Sequence, residues 1–63
     1  MNLRDYLARH RFNANQFAIY CKLSHQVIMR ALRNEVISSK SSKIIFKKTG
    51  GLVNYKKTRN YNL

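Results

Sequence analysis

Carboxylates are almost absent from this chain: Asp5 and Glu35 stand alone against 13 lysines and arginines, leaving a net charge of +11 in 63 residues. A field of that sign attracts a polyanion. Cysteine is single, which excludes an internal disulfide, and Cys21 with His10 and His25 gives neither the CxxC nor the HxxxH spacing of a tetrahedral zinc site. Cys21 therefore reads as a small buried hydrophobe, with no metal or cofactor expected. Long apolar runs are missing too. None approaches the roughly 18 residues that span a bilayer, and the N-terminus lacks the charged-then-apolar order of a signal peptide. No segment joins a wide apolar face to a purely basic polar one, so a membrane surface is not the expected polyanion. The expectation is a soluble, intracellular (cytoplasmic) chain. One domain of this length buries too little to support a pocket enzyme or a small-molecule site, and it gains most from oligomerisation.

What the chain does have is helical periodicity with caps. Asn2 is placed to cap a helix from Leu3 to His10, whose Leu3, Tyr6, Leu7 and His10 share a core face, with Asp5 favourable in its first turn. Arg11 to Asn13 form a connection. A second helix starts at Ala14 or Asn15 and ends at Cys21 or Lys22, with Phe17, Ala18 and Cys21 inward. Ser24 caps a third helix, reaching about Arg33, that buries Ile28, Ala31 and Leu32, keeps Val27 at the margin, and turns Gln26, Met29, Arg30 and Arg33 outward.

"NEVISSKSS" predicts a loop with Val36 or Ile37 tucked beneath it, then a fourth helix capped by Ser38 or Ser39 with Ile44 and Ile45 in the core. That helix ends at "TGG", where Gly50 takes the left-handed conformation without steric cost. "LVNYKK" suits a short strand at Leu52, Val53 and Tyr55, and residues 56–63 form a basic, flexible tail. The fold expected is thus mainly α, four short helices with a central helix-turn-helix in a domain spanning 1–55. The alternative is three helices plus a C-terminal β-hairpin, with "KIIFKK" and "LVNYKK" as its strands.

Residues 14–33 carry a further pattern: Ala18 where a second helix would cross, a Lys22–Leu23 turn, and Leu23 and Ile28 as apolar anchors before "RAL". This unit resembles the Cro and phage-repressor helix-turn-helix family, also called the xenobiotic-response-element family. "LRDYLAR" resembles that family's first helix, and "KIIFKKTGGLV" the end of its fourth, so the likeness runs to about Tyr55. The chain departs from the pattern at Lys22, where the family usually has glycine. A non-glycine residue in that left-handed turn costs on the order of 1 kcal/mol.

The resemblance implies a repressor-like transcriptional regulator that binds a pseudo-palindromic double-stranded DNA operator as a homodimer, in a bacterial or phage-infected cell. Its third helix would lie in the major groove. Base-reading positions would be Ser24, His25, Gln26, Met29 and Arg30. Gln26 suits adenine, Arg30 guanine, and Met29 a thymine methyl. Asn15, Gln16, Arg33, Lys40 and Lys43 would meet phosphates. Positions 40–63 hold seven cations and no anion, so Lys56, Lys57 and Arg59 extend that backbone contact. Leu52, Val53 and Tyr55 are the expected dimer contact, and the rings of Tyr55 and Tyr61 are also able to stack on nucleobases. Two other classes fit the same charge: a non-specific RNA- or DNA-coating protein and an excisionase-like architectural protein.

Overall fold

Each helix begins on a polar side chain that satisfies the free amides of its first turn. In the computed structural model, which describes residues 1–59, the Asn2 side chain accepts from the Asp5 amide (2.8 Å) at the start of α1, Leu3–His10. Asn13 opens α2, Ala14–Cys21, through a reciprocal pair: its side chain accepts from the Gln16 amide (2.7 Å) while its own amide donates to Gln16 Oε1 (3.1 Å). Ser24 caps α3, His25–Leu32, and Ser38 caps α4, Ser39–Lys48. The mainly helical, four-helix reading holds. The hairpin alternative fails because "KIIFKK" is the interior and end of α4.

All four helices end alike. A residue with positive φ follows the last turn, at Arg11 (55°), Lys22 (57°), Asn34 (61°) and Gly50 (63°). The amide of the next residue then returns to a carbonyl five positions earlier: Phe12 to Leu7, Leu23 to Ala18, Glu35 to Arg30 and Gly51 to Phe46, at 2.8–3.0 Å. Lys22 thus occupies the left-handed turn expected of it.

The core lies where these helices meet. Phe17, Ile28, Ile45 and Val53 are its largest fully sealed side chains. Phe17 packs edge-on to Phe12 (5.7 Å between ring centroids) and tilted against Tyr6 (5.9 Å). Ala18, Cys21 and Ala31 let α2 and α3 approach closely, and α2 also packs against α4. Of the two residues offered for the loop before α4, Ile37 is buried and Val36 is exposed. His10 is exposed rather than core. Helical spacing puts it beneath Tyr6, whose ring it meets at 4.2 Å, but at the last position of α1 it reaches solvent.

Beyond α4 the chain differs from expectation. Leu52, Val53 and Tyr55 are not in a strand; the pairing lies further on, where β2, Thr58–Arg59, runs parallel to β1, Ile37–Ser38. Val53 is held inside because Thr49 Oγ1, which donates to the Ile45 carbonyl (2.8 Å), accepts from the Val53 amide (3.1 Å). Residues 56–58 continue as backbone docked on β1, with the Ile37 amide donating to the Lys57 carbonyl (3.1 Å). Tyr61, proposed as a stacking residue, lies outside the described residues.

Candidate nucleic-acid interface

The tight turn between α2 and α3 decides which side of α3 is free. With Leu23 bonded back to Ala18, α3 drops its Ile28 and Ala31 side into the core and leaves the opposite side uncovered. His25, Gln26 and Arg30 are exposed there and Met29 is half-buried; with Arg33 they line one shallow depression of about 360 Å³. Positions 26, 29, 30 and 33 fall at helical spacing, so their side chains form a single stripe. Ser24 sits at its head, exposed, its oxygen accepting from the Val27 amide (3.3 Å) while its hydroxyl proton stays free.

Arg33 differs from its neighbours. Its Nε donates to the Glu35 carboxylate (2.8 Å), and both side chains are about half exposed (56% and 50%). Such a pair is worth about 0–1 kcal/mol, so a phosphate competes with it readily.

At the start of α2, Asn15 and Gln16 are exposed, but Gln16 already gives its amide oxygen to the helix cap and keeps only its NH₂ for another partner. Its capping partner Asn13 was not among the expected site residues. The Asn-x-x-Gln spacing was the signal for it. On α4, Lys40, Lys43 and Lys47 are exposed at helical spacing along one side. Lys48 stands over the Tyr20 ring at 5.1 Å, and neither residue was singled out in the sequence.

The C-terminal positions fall elsewhere. Lys56 and Lys57 are exposed on a separate cleft, shared with Arg4 and with Leu32 at the far end of α3, and not on the depression of the α3 stripe. Arg59 pairs through its backbone with Ser38. The expected dimer contact is corrected in part. Val53 is 1% exposed and filled in by its own core, so it has no surface for a second copy. Tyr55 is half-buried, its phenol donating to the Glu35 carbonyl, and it keeps part of its surface accessible. Burial, and then the Glu35 charge, push that phenol above its ordinary range. Of the three, Leu52 remains exposed (51%).

Among the described residues no helix is long and apolar enough to cross a membrane, and no cluster of three potential metal ligands occurs. No protein-family model, curated protein or solved structure matches the chain.

Proposed function

We propose that the chain is a sequence-specific DNA-binding regulator of the Cro-like kind, acting by binding rather than by catalysis inside a bacterial or phage-infected cell. One observation carries the reading: a capped helix presents His25, Gln26, Met29 and Arg30 together on its uncovered side, in a chain of net charge +11. An α-helix fits the major groove, and amide and guanidinium groups on its outer side match adenine and guanine edges. Gln26 and Arg30 take those roles, Met29 meets a thymine methyl, and Ser24 and His25 lie at the groove end of the helix. Asn15, Gln16, Lys40 and Lys43 hold phosphates, and Arg33 joins them by exchanging Glu35 for a phosphate oxygen. Those contacts position the protein and carry no sequence information.

A lone α3 reaches only a few base pairs, so two copies on two half-sites complete a regulatory site, covering a promoter as a repressor does. Leu52, with Phe46 also exposed, is the remaining apolar surface near the end of α4 for that contact. Net charge by itself favours a second reading, non-specific coating of nucleic acid. Mobility shift of a selected duplex and a scrambled one in rising salt distinguishes the two. The specific complex outlasts the scrambled one, whereas a coating protein releases both together.

A further inference from the structure

A cleft of about 510 Å³ lies between the start of α1, the end of α3 and the segment around Tyr55, and it shares no residue with the depression of the α3 stripe. Its lining combines apolar side chains with the polar Asn2, Asn34 and Asn54. Leu32 and Tyr55 form the accessible floor over the buried Leu3 and Val53. Its rim carries three exposed cations, Arg4, Lys56 and Lys57, and among the described residues no carboxylate side chain lines it. Arg4 Nη2 reaches the Leu32 carbonyl at 3.5 Å, bringing that charge to the edge of the floor. Neither Asp5 nor Glu35 lines the cleft, and the Glu35 carboxylate is held by Arg33.

We propose that this cleft docks an acidic peptide segment of a partner protein, apolar side chains on the Leu32–Tyr55 floor and flanking carboxylates on Arg4, Lys56 and Lys57. The combination of walls selects that chemistry. A DNA backbone would satisfy the three cations but offers nothing apolar to a concave floor, whereas a short peptide anchored by apolar side chains and steered by acids uses both. Because the cleft and the α3 stripe share no residue, such a partner covers the end of α3 at Leu32 and leaves His25, Gln26, Met29 and Arg30 clear. The proposal does not depend on what α3 binds.

The test uses the full chain without DNA and a peptide of about ten residues in which two leucines are flanked by glutamates. Two matched peptides accompany it, one with glutamine for glutamate and one with serine for leucine. The expected result is saturable binding of the first peptide alone, with shifts of the Arg4, Leu32 and Tyr55 amide resonances. Lys56→Glu with Lys57→Glu weakens it about tenfold or more, and the same reversal at Lys47 and Lys48, exposed at the end of α4, leaves it nearly unchanged. Both double variants change net charge equally and alter exposed side chains; because Lys48 also stands over the Tyr20 ring, denaturation of each variant beside the parent accompanies the binding measurement. Equal weakening by the two reversals, or equal binding of the serine peptide, reduces the effect to bulk charge and overturns the proposal. So does a short duplex that shifts the same resonances and displaces the peptide, which assigns the cleft to the DNA backbone.

Discussion

The hydroxyl of Ser42, in the middle of α4, donates to the backbone carbonyl of Tyr55 across 2.7 Å. With the Thr49–Val53 bond and the Tyr55–Glu35 bond, it fastens the C-terminal segment over the core between α4 and the loop after α3. Ser42→Ala removes the donor and leaves that carbonyl poorly satisfied, so it destabilises the fold by about 1–3 kcal/mol. Base preference should not change. Chemical denaturation measures the first effect and binding to a scrambled-site panel the second.

Lys22 has φ 57° and ψ 38°, a conformation that glycine adopts freely and lysine does not. Lys22→Gly should raise stability by about 0.5–1 kcal/mol, because relief of that strain exceeds the added freedom of the unfolded chain. Thermal melting of the variant beside the parent checks the sign. Arg11, with φ 55°, is the internal comparison and should respond in the same direction.

These turns show where the sequence was legible. Asn2, Ser24 and Ser38 announced helix starts because a cap is a local bond, written in one residue and the amides just after it. Core positions such as Phe17, Ile28 and Ile45 followed from helical period. The ends were harder. Gly50 declared its turn, whereas Arg11 and Asn34 take the same conformation with no glycine to mark it, held there by the return bonds from Phe12 and Glu35. The C-terminal segment was least legible. Val53 is buried by a bond to Thr49, and β2 is defined by β1, some 20 residues away (Ile37 opposite Thr58), so no local pattern separates that arrangement from a strand at residues 52–55. For the same reason the stripe on α3 was readable from spacing, while the gathering of Arg4 with Lys56 and Lys57 was not.

The side chains of Arg30 and Gln26 are exposed on the uncovered side of α3 and, among the described residues, take part in no hydrogen bond or ion pair of the fold. Replacing either by alanine should leave stability nearly unchanged. Each should cost about 1–3 kcal/mol of binding on the preferred site and relax preference at one base pair. Lys40→Ala and Lys43→Ala should instead weaken all duplexes alike, each lowering the salt slope by about 0.9 for every phosphate no longer neutralised. Titrations at several salt concentrations separate the two patterns.

Burial pushes the Cys21 thiol above its ordinary 9.0, an effect the Lys48 charge only partly offsets. An unfolded thiol ionises near 9.0 while the buried one keeps its proton to higher pH. Above that value the unfolded chain therefore binds fewer protons, and stability falls as pH rises; below it this contribution is flat. Tyr55 adds a second loss in the same direction, beginning near its ordinary 10.0. Denaturation midpoints followed from about pH 7 to 11 should decline first near pH 9, and Cys21→Ala should move that onset toward pH 10.

Selection of bound duplexes from a random DNA pool asks directly whether α3 reads bases. The expected outcome is enrichment of one motif with two inverted half-sites about 34–36 Å apart, one turn of duplex. Repeating the selection with Arg30→Ala should abolish preference at the same base pair in each half. A pool that retains its random composition after successive rounds, although the protein binds it tightly in low salt, would contradict base reading by α3 and leave a charge-driven coat on nucleic acid in its place.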